Sequence, residues 1–256
     1  MRIVILGSGN LATQLSLALK DAGKDIVQVF SRTENHARTL ADKLGCSYTS
    51  NTDDICHDAD MYIISVKDDA ISEVAAYVCR LNNNSLIVHT AGSVPMDVLS
   101  EYSERYGVLY PMQTFSKSRR VDFREIPCFI EASDGNVLTE IRLLAESLSD
   151  HVVECDSGKR KKLHLAAVLA CNLTNHCYRL AERVLNSEQI DFRLFLPLIA
   201  ETARKVTVMS PKEAQTGPMV RYDQSVMQMQ MDMLPDERTR EIYRLMADSI
   251  HEDVIS

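Results

Sequence analysis

Residues 2–12 read Arg-Ile-Val-Ile-Leu-Gly-Ser-Gly-Asn-Leu-Ala, and this stretch decides the fold. Its apolar run ends in a glycine, as is typical of a strand that is buried on both faces of a parallel sheet. From Leu11 to Ala22, apolar residues recur at spacings of three and four, and Gly23 follows. This spacing predicts a helix with a glycine at its carboxyl end. The stretch is therefore a strand, a glycine-containing turn and the start of a helix.

The same alternation of strands and helices continues along the chain. Strands are predicted at residues 26–30, 61–66, 86–89, 128–131 and 152–155. Helices are predicted at residues 34–44, 70–81 and 137–148. Parallel strands need a crossover that covers the sheet, so this repetition favours an α/β fold with a doubly wound, mostly parallel sheet of the Rossmann type.

The chain changes character after Asp156. Residues 159–187, 192–209 and 235–250 carry helical patterns, and residues 210–213 form a capping box that begins another helix. Methionine alternates with polar residues through residues 227–233, which suits a strand by period but a helix by propensity, and we predict a helix. The sequence thus predicts a nucleotide-binding domain over residues 1–156 and an all-helical domain over residues 157–256.

Composition and charge exclude several classes of protein. The 256 residues are 45% hydrophobic and 25% charged, which is typical of a globular protein. The net charge is -8, and residues 1–156 hold 14 Lys and Arg against 23 Asp and Glu, so no binding to nucleic acid is expected. The longest nearly apolar stretch, residues 163–173, is far shorter than the roughly 20 residues of a membrane span, so no membrane association is expected.

Cysteine and histidine spacings argue against disulfides and metal. Seven cysteines are scattered without a Cys-x-x-Cys pair, which favours reduced thiols in a cytoplasmic protein. Seven histidines form no His-Glu-x-x-His motif and no ligand spacing with cysteine. We therefore predict a cytoplasmic protein without a metal site.

A Gly-x-Gly-x-x-Ala motif lies between the first predicted strand and the first predicted helix. Glycines there let the backbone approach a pyrophosphate, whose charge meets the amino-terminal end of the helix. The alternative is a tight turn without a ligand. The surrounding strand and helix favour a dinucleotide site. The residues of this turn that we expect to contact the cofactor are Gly7, Ser8, Gly9, Asn10 and Leu11.

The end of the second predicted strand should decide between NAD and NADP. An acidic residue there binds the ribose hydroxyls of NAD, whereas this strand ends Phe30-Ser31-Arg32-Thr33. A hydroxyl followed by a guanidinium suits a 2′-phosphate. We therefore predict NADP, with Ser31 and Arg32 as contacts. The alternative is that Arg32 is an ordinary surface arginine.

Ligands of open parallel sheets bind beyond the carboxyl ends of the strands. This rule selects Ser65 and Val66 as cofactor contacts and places His89 and Ser93 beside the nicotinamide. An adjacent acidic pair, residues 68–69, is compatible with acid–base chemistry, but its position just before a helix favours N-capping.

Polar residues in the predicted helical domain supply the other candidates. His164 and Asn172 are the polar residues of the apolar stretch 163–173, and they are either bonded within the protein or line a ligand cleft. Residues 216–223 contain a Gly-Pro turn, in which Arg221 and Asp223 are spaced to pair with each other or to contact a carboxylate substrate.

Several motifs together resemble one family. They are Ile5 to Asn10, Ala59 to Ile71, His89 to Ser93, Tyr110 to Phe115 and Thr216 to Asp223. The chain resembles Rossmann-like NADP oxidoreductases that carry a helical carboxyl-terminal domain of unknown function. Its first half is similar to deazaflavin-dependent NADP reductases and pyrroline-5-carboxylate reductase, and its second half to the domain that follows the sheet in 6-phosphogluconate dehydrogenase. Members commonly have His-Pro where this chain has Tyr110-Pro111.

The resemblance implies NADP as cofactor, a cleft between the domains and a homodimer built through helices. We therefore expect hydride transfer between NADPH and a small carbonyl or imine substrate in that cleft. His164 is the expected general acid and Asn172 orients the substrate, while Ser93, Tyr110, Thr216 and Arg221 contact it. The alternatives are a non-catalytic NADP-binding redox sensor or scaffold, and a group-transfer or isomerising enzyme.

Overall fold

The computed structural model describes residues 1–81 and 85–255, and its first part is built on one sheet. The eight strands follow the order β3-β2-β1-β4-β5-β6-β7-β8. Strands β1 to β6 are parallel, β7 is antiparallel to β6, and β8 is parallel to β7. The strands are β1 (Arg2–Leu6), β2 (Asp25–Phe30), β3 (Ser47–Thr49), β4 (Met61–Ile64), β5 (Leu86–His89), β6 (Tyr106–Pro111), β7 (Cys128–Ala132) and β8 (Val152–Glu154).

Helices alternate with the strands up to β8 and then continue alone. They are α1 (Asn10–Asp21), α2 (Glu34–Leu44), α3 (Ile71–Leu81), α4 (Gly135–Glu146), α5 (Ser157–Ala167), α6 (Thr174–Ser187), α7 (Leu196–Lys205), α8 (Pro211–Ala214), α9 (Gln224–Asp232) and α10 (Glu237–Ile255). A π-helical turn, Val168–Leu173, joins α5 to α6. The predicted fold class, a mostly parallel Rossmann-type sheet followed by helices, is confirmed.

Both faces of the sheet are covered, as the continuous apolar strands require. Ile3 and Ile5 of β1 belong to one buried cluster, whereas Val4 and Leu6 belong to another. Alternate side chains of a strand point to opposite faces, so β1 lies between two apolar layers. This arrangement leaves the carboxyl ends of the strands as the place for polar chemistry.

Two strands escaped prediction for local reasons. Strand β6 contains Gly107 and ends at Pro111, both of which weaken a strand pattern, and its other residues are mostly apolar without alternation. Strand β3 has three residues, which is too short to show a period. Strand β4 ends at Ile64 and not at Val66 as predicted, because the next residues turn over the end of the sheet.

The chain divides into two compact units, Met1–Cys171 and Asn172–Ser256. The division expected from the sequence lay at Asp156, where the last strand ends. Helix α5 nevertheless groups with the sheet because the buried Arg160 forms an ion pair with Glu131 of β7. None of the helices in the described ranges is long and apolar enough to cross a membrane.

Candidate active site

One cavity of about 720 Å³ runs along the carboxyl ends of five neighbouring strands. In spatial order these strands are β2, β1, β4, β5 and β6, and residues after each of them line the cavity. The chain reverses its direction of travel across the sheet between β3 and β4, so β1 and β4 mark the topological switch point. Open α/β sheets bind their ligands at that point. The cavity lies entirely within the first compact unit.

The turn after β1 comes very close to the backbone after β4. Gly7 has φ of +127°, and a Cβ there would lie 2.1 Å from the carbonyl oxygen of Ser65, so only glycine fits. Gly9 differs, because a Cβ on it would meet no heavy atom within 4 Å. Protein packing does not require glycine at position 9, whereas a ligand approaching the backbone there would require it.

The amino-terminal end of α1 opens onto the same cavity. Gly9 is its N-cap residue and supplies no side-chain cap, and the first turn contains no acidic residue. The first amide groups of a helix have no partner within the helix. Asn10 and Leu11 line the cavity beside these groups, so the helix end is suited to an anion.

The edge of the cavity near β2 carries hydroxyls and a cation. The hydroxyl of Ser8 donates a hydrogen bond to Oγ of Ser31, with an O–O distance of 2.8 Å. Arg32 and His36 also line the cavity here. Arg32 is exposed and forms no ion pair within residues 1–81 and 85–255, so its guanidinium can receive a phosphate.

At the edge of the cavity near β6, Tyr110 and His164 form a pair. The phenol oxygen of Tyr110 lies 3.0 Å from Nδ1 of His164, and the two rings meet edge to face. Burial raises the pKa of Tyr110, so its hydroxyl keeps its proton through the neutral range. Nε2 of His164 has no hydrogen-bond partner in the described part of the chain. The pair therefore leaves Nε2 of His164 available to contact a ligand in the cavity.

Gly92 makes room for this pair. A Cβ on Gly92 would lie 2.6 Å from Nδ1 of His164 and 2.8 Å from Cζ of Tyr110. Real Cβ atoms essentially never come this close to ring atoms, so glycine is needed for both rings to keep their positions.

Arg160 fixes the helix that carries His164. Its side chain is fully buried, pairs with Glu131, and donates to the carbonyl oxygen of Val94 at 2.7 Å. Glu131 also accepts from the Ser157 hydroxyl at 2.8 Å. Because Arg160 and His164 are one turn apart, this network determines where the imidazole lies.

The loops after β4 and β5 are tied together above the sheet. The hydroxyl of Ser93 donates to Asp68, and the hydroxyl of Thr90 donates to Ser65 Oγ at 3.1 Å. The N-capping prediction for Asp68 is wrong, because Lys67 holds the N-cap position and the carboxylate accepts from Ser93 instead. Asp68 and Ser93 both line the cavity.

His89 does not line the cavity, and the expectation that it faces the cofactor is corrected on this point. Its side chain has no exposed surface, because His89 pairs with Ile64 of β4 on one side and with Val108 of β6 on the other. Nδ1 accepts a hydrogen bond from the amide of Ala91 at 3.2 Å, and Nε2 is buried without a partner in the described residues. Burial, followed by the charge of Arg160, lowers the pKa of His89 to about 4.

Three predicted site residues belong to the second compact unit. Asn172, Thr216 and Arg221 are exposed there and are not among the cavity residues. Pairing of Arg221 with Asp223 is not observed, because Asp223 accepts from the amide of Val226 as the N-cap of α9.

The helical pattern predicted over residues 159–187 is not one uninterrupted α-helix. The π-helical turn Val168–Leu173, which contains Asn172, interrupts it after His164. The roles of Asn172, Thr216 and Arg221 stay predictions.

Sequence reasoning missed two groups of site residues. Gln113, Phe115 and Lys117 line the cavity from the loop after β6, and no local sequence pattern marks them. Arg160 was hidden in a basic run, but Glu131 in an apolar strand signalled the need for a buried cation. No group of three or more His, Cys, Asp or Glu side chains in the described ranges is arranged to hold a metal ion.

Comparison with known proteins gives two family matches. Residues 2–92 match a model described as NADP oxidoreductase, coenzyme F420-dependent. Residues 126–250 match DUF2520, a domain of unknown function. No curated protein matches the chain.

Solved structures match the whole chain. A "putative NADP oxidoreductase" from Bacteroides fragilis is 48% identical over 98% of this chain and 98% of that chain, with a TM-score of 0.95. A protein from Thermotoga maritima is 22% identical over 99% and 100% of the two chains, with a TM-score of 0.80. An imine reductase from Myxococcus stipitatus in complex with NADP+ is 17% identical over 98% and 92%, with a TM-score of 0.68. The last two similarities concern the fold.

Proposed function

We propose, since the chain belongs to the NADP oxidoreductase family of its Bacteroides fragilis relative, that it reduces a small carbonyl or imine substrate with NADPH. The observation that carries this proposal is a single cavity with an anion-binding helix end and a Tyr–His pair along its length. NADPH held in this cavity would supply the hydride that reduces the substrate carbon. The remaining requirement is one proton for the substrate oxygen or nitrogen.

The residues of the cavity fit this cofactor. The glycine turn Gly7–Gly9 and the free amides of α1 suit the pyrophosphate, and Arg32 with Ser31 suits the 2′-phosphate. Ser65 and Val66 line the middle of the cavity and complete the cofactor contacts that we propose.

His164 is the proton donor in this proposal. Its Nδ1 is fixed by Tyr110, which leaves Nε2 to give a proton to the substrate as the hydride arrives. When Nε2 gives up its proton, the neutral ring keeps its proton on Nδ1, and this N–H donates a hydrogen bond to the phenol oxygen of Tyr110, which stabilises that tautomer. Ser93 and Tyr110 are proposed substrate contacts, and Asn172, Thr216 and Arg221 of the helical unit are proposed to complete them.

We also propose a homodimer that forms through the helical unit, in a cytoplasmic setting. Large apolar side chains are exposed on this unit, and burying them would remove apolar area from water. Examples are Leu173, Leu194, Leu198, Val208, Met233, Leu245 and Ile255. All seven cysteines are free thiols, as a reducing compartment favours.

The test is a screen for NADPH oxidation over small ketoacids, imines and flavin-like acceptors. On a substrate so identified, His164→Asn should lower kcat by roughly 10²- to 10⁴-fold, the usual contribution of a general acid. Tyr110→Phe should give a smaller loss, and both variants should bind NADPH normally. His176→Asn is the control, since His176 also lies on a helix but does not line the cavity.

Full turnover by the His164 variant would remove it from catalysis. Tight NADPH binding with no turnover of any compound would favour a redox sensor or scaffold.

A further inference from the structure

One wall of the cavity is a loop that follows β6. Gln113, Phe115 and Lys117 of this loop all line the cavity, and Lys117 lies in a turn that is closed by a β-bridge between Ser116 and Arg119. Between them, the carbonyl oxygen of Ser116 accepts a hydrogen bond from Nε2 of the buried Gln14, at 2.7 Å. The segment is therefore fastened to α1 from behind.

Two further contacts hold this wall. The ring of Phe115 stacks on Phe123, with centroids 5.8 Å apart and planes at 21°. Arg120, just beyond the wall, forms an ion pair with Asp21 at the end of α1. The three inward side chains thus stand on a backbone that is tied at several points, so their spacing is set before a ligand arrives.

The wall offers two hydrogen-bond donors with an aromatic ring between them. Oε1 of Gln113 accepts from the amide of Thr114 at 2.8 Å, which leaves the amide nitrogen Nε2 to donate to a ligand. Lys117 makes no ion pair or hydrogen bond within the described ranges. An ammonium and an amide group together suit the two oxygens of a carboxylate, and the ring suits an apolar body.

The charges in the cavity favour an anion at Lys117. The partners that we propose for the cofactor phosphates lie elsewhere, at the end of α1 and at Arg32. The acidic residues of the lining are Asp68, which is engaged by Ser93, and Glu73. Lys117 is therefore a cation in the cavity that neither the cofactor nor a neighbouring carboxylate accounts for.

We propose that the wall Gln113–Phe115–Lys117 is the substrate-recognition surface, and that the substrate carries a carboxylate attached to an apolar group. Lys117 and Gln113 bind the carboxylate, and Phe115 packs against the apolar group. This proposal rests on the proposed function, because it requires NADPH to fill the rest of the cavity. The alternative is that Lys117 binds a phosphate group of the cofactor and not a carboxylate of the substrate.

The experiment measures ligand binding to the complex of the protein with NADPH by titration calorimetry. The probes are phenylacetate and its neutral counterpart phenylacetamide. Lys117→Met removes the charge and Lys117→Arg keeps it. Arg119→Met is the matched control. Arg119 lies two residues after Lys117, is exposed and does not line the cavity, so this variant removes one positive charge outside the proposed site.

We expect the protein to bind phenylacetate about tenfold more tightly than phenylacetamide, as a charge-assisted hydrogen bond allows. Lys117→Met should reduce this ratio to about one, while Lys117→Arg and Arg119→Met keep it. The dissociation constant of NADPH should change less than about twofold in all variants, since no phosphate contact is removed.

Four results would overturn the proposal. A preference that is missing in the unmodified protein, or kept in Lys117→Met, rules out this carboxylate site while leaving the proposed reduction intact. A tenfold or greater loss of NADPH affinity in Lys117→Met with the preference unchanged assigns the lysine to the cofactor. Failure of the unmodified protein to bind NADPH would remove the proposed function itself.

Discussion

Arg32 is the residue on which we expect discrimination between NADP and NAD to rest. Arg32→Ala should weaken NADPH binding by about 10- to 100-fold, the range of a lost charge-assisted contact, and should leave NADH binding nearly unchanged. Fluorescence titration with both nucleotides measures this. Arg38→Ala is the control, because Arg38 is equally exposed on α2 and lies outside the cavity lining. Equal affinity of the unmodified protein for the two nucleotides would remove Arg32 from this role.

His89 should make the fold sensitive to acid. Its pKa is about 4 in the folded protein, whereas a histidine in an unfolded chain titrates near 6.5. As the pH falls through this interval, the unfolded chain binds a proton that the folded protein does not, so stability decreases. The loss at about pH 5, relative to pH 8, is about 2 kcal/mol for this group.

The variant His89→Asn isolates that effect. Asparagine can accept the bond from the Ala91 amide but does not titrate, so urea unfolding of the variant should depend less on pH by about this amount. His36→Asn, at an exposed position, should follow the unmodified protein. Parallel pH dependence of His89→Asn and the unmodified protein would contradict the assignment.

Individual site residues differ in how far the sequence could predict them. The glycine turn and Arg32 were accessible because their chemistry depends on neighbours along the chain. The cavity position of Lys117 and the burial of His89 were not, because they depend on a loop folding back to Gln14 and on where β5 ends between its neighbours. Contacts between distant segments leave little trace in local spacing.

At the level of elements, α5 is held by one buried ion pair. Arg160→Met should lower the free energy of unfolding by about 3–5 kcal/mol, because it leaves Glu131 without its counterion in a mostly buried place. Arg120→Met, which breaks the exposed pair with Asp21, should cost about 0–1 kcal/mol. Urea unfolding of both variants compares the two costs. Equal losses would show that Arg160 does not hold the helix in this way.

The elements themselves were largely predictable. Helix α2 ends at Gly45 with φ of +74°, and Ser210 and Glu213 form the capping box, as the sequence indicated. Local signals suffice in such cases because helix ends depend on residues within one turn. Strand β6 shows the limit, since its pairing with β5 and β7 compensates for a glycine and a proline that weaken its own pattern.

For the whole molecule, the exposed apolar residues of the helical unit predict self-association. Light scattering should give twice the chain mass of 28.8 kDa at micromolar concentration. Replacing Leu194 and Leu198 with lysine should shift the protein toward the monomer, because both side chains would carry charge into an apolar contact. Leu143→Lys is the control, since Leu143 is as exposed but lies on α4 of the sheet unit. A monomeric unmodified protein would contradict the dimer.

The tight fit around Gly92 offers a route to the unknown substrate. A single added methyl group, in Gly92→Ala, must push His164 and Tyr110 apart while the glycine turn that receives the cofactor keeps its sequence. Such a variant should bind the cofactor and the substrate without converting them. The cellular substrate would then stay bound during purification. Mass spectrometry of the small molecules that copurify with it could then reveal a metabolite that no panel of purchased compounds contains.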